Sequence, residues 1–243
     1  MTYDLSVVIP AYNEATTIAA TLETVTRYLS GTPWSWEILV VNDGSRDATA
    51  AETVRAARAL ASQQIRLLEH TNNMGKGAAV RTGVLASTGR AVLFYDADGA
   101  TPVSEVAKCL PYLQAGVDVV AGSRRIAGSA IRRHQPLVRQ LLGACYTRLT
   151  NWLIAGGISD ITCGFKVLRD EAARAIFSRM RITGWSFDAE LFYLARRLGY
   201  RIAEVPVTWT DQPNTKVRVA RDALSAFGEL LRIRWTAACG RYR

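Results

Sequence analysis

The sequence predicts an α/β fold: an open, twisted, mostly parallel sheet flanked by helices. Three observations lead there. Short runs rich in Val, Ile and Leu alternate with helix-compatible stretches through the first half of the chain. These runs are almost continuously apolar, as strands covered on both faces must be. Polar clusters follow the first, second and fourth runs, beyond the strand ends where such sheets place ligands.

The first strand is expected over residues 5–10, running into Ala11, Tyr12, Asn13 and Glu14, with a helix over 15–29. A second strand over 37–42 leads to Asp43, Gly44 and Ser45 and a helix over 47–61. A third, 65–69, precedes Lys76, which stands between glycines at the start of a helix over 76–86. A fourth, 91–95, ends in Asp96-Ala97-Asp98, and Thr101 with Pro102 opens a helix over 102–113 as cap and first-turn proline. A fifth strand is expected over 118–122. Repeated β-α-β units impose right-handed crossovers.

The second half changes character. Residues 123–135 read as a loop containing Gly and Arg. Residues 136–155 read as an amphipathic helix carrying Leu137, Leu141, Leu142, Tyr146, Leu149, Trp152 and Leu153. A strand over 163–168, a helix over 186–198 stopped by Gly199, a strand over 202–209 and a last helix over 219–235 complete the chain. No repeat, low-complexity tract or linker divides it, so one domain over 1–243 is expected.

Of 243 residues, 49% are hydrophobic and 21% charged, an ordinary globular balance that excludes disorder. The net charge of +9 favours anionic partners: nucleic acid, phosphorylated substrates or an acidic membrane surface. The basic residues concentrate after the sheet and form no RNA- or DNA-reading motif, so no nucleic-acid partner is expected. Four scattered cysteines suggest neither zinc nor a disulfide framework and fit a reducing, cytoplasmic setting. No secretory signal is expected ahead of the first strand, and no apolar run approaches the roughly 18 residues of a membrane span.

Asp96 and Asp98 come first among candidate site residues. Alternate residues of a strand point to opposite faces, so two carboxylates meeting on one ion need a turn, which Gly99 and Ala100 allow. Hard oxygen ligands suit Mg²⁺ or Mn²⁺, held by one or two carboxylates together with substrate phosphates. The same residues also describe a solvated Asp-x-Asp-Gly turn. Tyr12 and Glu14 offer a ring and a carboxylate to a nucleobase, or merely open the next helix. Asp43 could bond base or ribose, and Lys76 at a helix start suits phosphate. His70 and His134 match no catalytic spacing, and His70 reads as structural.

On VVIPAYNE (7–14), VVNDGS (40–45), the glycines around Lys76 and DADGAT (96–101), the sequence resembles family 2 glycosyltransferases of the Rossmann-like GT-A fold. AGSR (121–124), DITCGFK (160–166), WSFDAE (185–190) and VTWTDQPNTK (207–216) narrow the resemblance. They point to the branch that charges polyprenyl phosphate with a hexose, dolichyl-phosphate β-glucosyltransferases above all.

The resemblance implies that residues 1–122 bind a nucleotide-sugar, 123–216 serve the acceptor, and 217–243 form a C-terminal helix and tail. It implies donor contacts by Pro10, Tyr12, Glu14, Asp43, Lys76 and Asp96, and metal held by Asp96 and Asp98. Catalytic roles fall to Asp98, Arg124 and Lys216, with Arg125, Arg132 and Arg133 facing the acceptor phosphate. Two departures stand out. Asn42 replaces the first of two aspartates common in the family, and Asn214-Thr215-Lys216 replaces the usual Gly-Ser-Lys. Asp160 and Asp188 read either as acceptor-side carboxylates or as partners of arginines and helix ends.

The implied reaction is inverting transfer of glucose from UDP-glucose to polyprenyl (dolichyl) phosphate. Mannose from GDP-mannose, a saccharide acceptor, or a silent nucleotide-sugar sensor are the rivals. Basic residues beside the Leu/Trp/Tyr face of 136–155 match an interfacial helix, so peripheral attachment at the cytoplasmic face of a membrane is expected.

Overall fold

The computed structural model describes residues 2–133, 137–211 and 219–242. Nine strands and eight α-helices follow one another among these residues. The first half runs β1 (Leu5–Ala11), α1 (Ile18–Ser30), β2 (Trp36–Asn42), α2 (Thr49–Ala59), β3 (Ile65–Glu69), α3 (Lys76–Ala86), β4 (Ala91–Tyr95), α4 (Val106–Gln114) and β5 (Val119–Ser123). The second runs β6 (Ala130–Arg133), α5 (Leu137–Thr150), β7 (Phe165–Arg169), α6 (Asp170–Arg179), α7 (Phe187–Arg197), β8 (Ile202–Pro206), β9 (Thr208–Thr210) and α8 (Val219–Ala238).

Seven strands form one sheet in the order β3-β2-β1-β4-β7-β5-β8. All neighbours are parallel except β7, which runs antiparallel to both β4 and β5. The apolar runs feed two cores because alternate side chains leave opposite faces. Val8, Leu39, Val41, Val92 and Phe94 join α3, α6 and α7 on one face. Val7, Ile9, Ile38, Val40 and Leu93 meet α1 and α4 on the other.

The second half departs from the sequence expectation in four places. Residues 123–135 contain β6, which pairs with β9 in a small second sheet. The strand expected over 202–209 breaks at Val207 and serves both sheets. The helix expected over 136–155 ends at Thr150 and closes with one π-helical turn, Asn151–Ala155. Helix α6 follows β7 without a loop and was not expected at all. In the first half, residues 103–105 form a 3-10 turn before α4.

Candidate active site

Strands β1, β2 and β4 are parallel and in register, with Ala11 opposite Asn42 and Val8 opposite Phe94, so their carboxyl ends open on one side. The loops beyond are tied together. Asn13 donates its backbone N–H to Ser45 Oγ at 2.9 Å, and its Oδ1 accepts from the Arg46 amide at 2.8 Å. Asn13 holds φ at 54°, a left-handed conformation Asn tolerates better than most residues. The Glu14 amide donates to Thr49 Oγ1 at 2.7 Å. Pro10, Tyr12 and Glu14 are left half-buried along this edge.

After β4 the chain makes the turn that two converging carboxylates need. The Gly99 amide donates to the Asp96 carbonyl at 3.1 Å, with Gly99 at φ 64°. Asp98 Oδ1 accepts from the Ala100 amide at 3.0 Å, and buried Thr21 of α1 donates its hydroxyl to the Ala97 carbonyl at 2.7 Å. Lys76, the first residue of α3, pairs with Asp96 Oδ1 at 2.6 Å and lies 5.6 Å from the centre of the half-exposed Trp185 ring.

Charge is concentrated here. Asp98 opens to the crevice. Loss of hydration among the surrounding protein and the neighbouring Asp96 carboxylate nevertheless push its carboxyl up from 3.8 to about 6. Burial works to lower Lys76, but the carboxylates of Asp96, Asp188 and Asp98 outweigh it and hold the ammonium above its ordinary value. Asp98, whose ionisation is held back, stands beside Asp96, which already shares a lysine, and a divalent cation would relieve the crowding of negative charge. Among the described residues no group of three or more His, Cys, Asp or Glu could hold a metal ion unaided. The donor set therefore fits a cation whose remaining ligands come from phosphate oxygens and water.

Two expected site residues are engaged inside the protein. Asp43 is only 2% exposed, and all four of its lone-pair directions are taken. Oδ1 meets His70 Nδ1 at 2.7 Å and the Met74 amide at 2.9 Å; Oδ2 accepts from Asn73 Nδ2 at 3.0 Å and the Gly75 amide at 2.9 Å. Asp43 thus shapes the loop that delivers Lys76 and has no oxygen left for a nucleoside. His70 completes the brace by meeting Thr82 Oγ1 at 2.9 Å, in line with its structural reading. Asp43→Ala is expected to cost on the order of 3 kcal/mol in urea unfolding, since it strands two loop amides. Nucleoside diphosphate affinity, measured by calorimetry, should fall with it; wild-type values for both would contradict this role.

Arg124 is engaged from within as well, through its Nε and Nη2. Its Nε and Nη2 donate to Asp160 at 2.6 and 2.8 Å, its amide donates to the same carboxylate at 3.0 Å, and its guanidinium lies 5.2 Å from the Trp209 ring centre. Asp160 is fully buried, so its arginine-pairing alternative is the one realised. Asp188 likewise pairs with a buried cation, Lys166, at 2.7 Å.

Arg125, Arg132 and Arg133 are exposed. Arg125 lies against α5 at Gly143. Arg133 pairs in register with Thr210, whose amide donates to the Ala100 carbonyl at 2.9 Å, so β6 stands one short strand from the aspartate turn. Lys216 and His134 lie outside the described residues. Sequence reasoning gave no role to Lys166 or Trp185, although both stand in motifs it singled out.

The family model described as Glycosyl transferase family 2 matches residues 6–177. The dolichyl-phosphate beta-glucosyltransferase of Dictyostelium discoideum is 33% identical, covering 97% of this chain and 75% of its own. Its Mus musculus counterpart is 35% identical over 100% of this chain and 78% of its own, and the Saccharomyces cerevisiae one 33% over 98% and 76%. Among solved structures, glucosyl-3-phosphoglycerate synthase from Mycobacterium tuberculosis, in complex with Mn²⁺, UDP-glucose and phosphoglyceric acid, superposes with a TM-score of 0.71 at 19% identity. That match covers 96% of this chain and 80% of the other, and shows a shared fold.

Proposed function

The chain belongs to glycosyl transferase family 2, and from that premise we propose that it transfers glucose from UDP-glucose to a polyprenyl phosphate of the dolichyl type, with inversion. The observation that carries the reading is the Asp96-Ala97-Asp98 turn, set among three converging strand ends and backed by Lys76. Relatives named for dolichyl phosphate and glucose supply the acceptor and the sugar.

A bound Mg²⁺ or Mn²⁺ would neutralise charge on the leaving diphosphate; Asp96 and Asp98 would hold it. Lys76 sits at the amino end of α3, where backbone amides and its ammonium both suit a diphosphate. Pro10, Tyr12 and Glu14 border the space for the nucleoside. The acceptor needs no strong general base, because a phosphomonoester with a second pKa of about 6 is already largely a dianion at neutral pH. The protein's work is alignment and charge compensation. Arg132 and Arg133 on β6, Arg125 beside α5, and Lys216 supply cations for the incoming phosphate, while Arg124 braces the turn beneath them. Direct displacement converts an α-linked donor to a β-linked product.

A donor panel of UDP-glucose, UDP-galactose, UDP-N-acetylglucosamine and GDP-mannose with a short polyprenyl phosphate tests the sugar. UDP-glucose should lead by at least about tenfold in kcat/KM; preference for GDP-mannose would overturn the glucose reading.

The acceptor's lipid tail calls for contact with a membrane. No helix among the described residues is long and apolar enough to cross one. Instead α8 packs beside α5 and its π-helical turn. Trp152 (80% exposed) and Leu141 on one side, and Leu231 and Trp235 (66%) on the other, are left in the open. Arg148, Arg232 and Arg234 are exposed among them. An apolar face edged by cations suits the headgroup region of an anionic bilayer. Flotation should recover the protein with anionic vesicles. The Trp152→Ser/Trp235→Ser variant should stay behind while keeping activity on a short, water-soluble acceptor. Equal recovery of both proteins, or of neither, would contradict the surface.

A further inference from the structure

We infer that the segment ending in Lys166 positions the Asp96 carboxylate: the bare backbone of Gly164 makes room for it, and the Lys166 ammonium holds that backbone in place. The inference rests on the reading of Asp96 as a ligand of the cation.

The register of β4 and β7 pairs Phe94 with Lys166 and Tyr95 with Phe165. One step further along the antiparallel pair, Gly164 falls across from Asp96. A Cβ on Gly164 would overlap the Asp96 carboxyl group at Cγ and Oδ2. The acidic side chain therefore occupies the space beside the glycine that any other residue's Cβ would fill. Its other anchor is Lys76 on Oδ1 at 2.6 Å. Between them these contacts fix which way the carboxylate faces.

The glycine must itself be held, and Lys166 does this from below. Its side chain is fully buried, and Nζ reaches back along its own segment to the carbonyls of Ile161 at 3.0 Å and Cys163 at 2.6 Å. The third proton goes to Asp188 Oδ1 at 2.7 Å. All three ammonium donors are thereby used. Asp188 stands in the first turn of α7, where a carboxylate is favoured. The rings of Phe94 and Phe192 flank the ammonium at 5.0 and 5.4 Å. A buried charge pair is seldom better for stability than apolar packing of the same shape. Here it does what apolar packing cannot: it pins two carbonyls of the turn that presents Gly164 and ties that turn to α7.

Lys166 touches no substrate in this scheme, so it is a positioning residue. The test is Mn²⁺ binding by electron paramagnetic resonance in the presence of UDP, beside UDP binding without metal. The proteins are wild type, Gly164→Ala, and Lys166→Met/Asp188→Asn, which leaves no buried charge unpaired. Mn²⁺ affinity should fall at least about tenfold in both variants, the effect typical of losing support behind a metal ligand. Metal-free UDP affinity should stay within about twofold of wild type. Unchanged Mn²⁺ affinity in either folded variant, or equal losses for UDP alone, would overturn the inference. Should the double variant fail to fold, Gly164→Ala decides, since it leaves the ion pair intact. Wild type that binds no Mn²⁺ with UDP would instead remove the metal reading of Asp96, and this inference with it.

Discussion

Asp98→Asn is expected to lower kcat/KM for sugar transfer by at least about a thousandfold, several kcal/mol of transition-state stabilisation, while raising the Tm of the metal-free protein at neutral pH. Both effects have one cause. Asp98 opens to the crevice next to another carboxylate, and its carboxyl sits at about 6 instead of 3.8. An acid whose folded value is raised binds its proton more tightly in the folded state. The stability it contributes is fully present below about pH 4, declines as the pH rises through 6, and is gone above. Asparagine carries no such penalty and keeps an oxygen for the Ala100 amide. The Tm difference between variant and wild type should therefore be positive above pH 6 and shrink toward pH 4. Saturating Mn²⁺ with UDP should stabilise wild type far more than the variant. Calorimetric scans across this range check the sign; a variant less stable than wild type at pH 7.5 without metal would contradict it.

Asp160→Ala is expected to destabilise the protein by about 3–5 kcal/mol, because it strands a cation whose partner is fully buried. Burial acts to raise Asp160, but Arg124 outweighs it through charge and hydrogen bonds and holds the carboxyl below its usual value. That stability is present above about pH 4 and lost as the pH falls through the lowered folded value. The gap between wild type and variant should persist at pH 7 and close in acid. Arg124→Met/Asp160→Leu, which removes both charges, should recover most of the loss in urea unfolding. If instead the double variant were as unstable as Asp160→Ala, the damage would not come from an unpaired charge.

The sheet was legible because its signal is local. A strand such as β2 is buried along its whole length, and an unbroken run of Val, Ile and Leu records that directly. The aspartate turn was legible for the same reason, since the strand, both carboxylates and Gly99 lie within one short stretch. The internal partners of Asp43 and Arg124 were not legible because they are distant in sequence. The amides that fill Asp43 come from Met74 and Gly75, and the carboxylate that binds Arg124 comes from Asp160. A polar residue beyond a strand looks the same whether it faces a ligand or a loop. Helix α6 escaped notice because its buried positions, Ala172, Ala173, Ile176 and Phe177, include two small alanines and follow β7 without a turn signal. Strand β6 is mostly exposed, and its partner β9 lies far along the chain, so no apolar alternation betrays it.

The division of labour between the aspartate turn and the basic strand beyond it can be tested in one assay. Radiolabelled UDP-glucose is incubated with polyprenyl phosphate and Mn²⁺, and the lipid product is extracted and its anomeric configuration determined by NMR. The expected product is a β-glucosyl phosphate lipid, abolished by chelation and restored by added Mn²⁺. Undiminished transfer in the presence of chelator, or preference for a simple sugar over the lipid phosphate, would contradict the account.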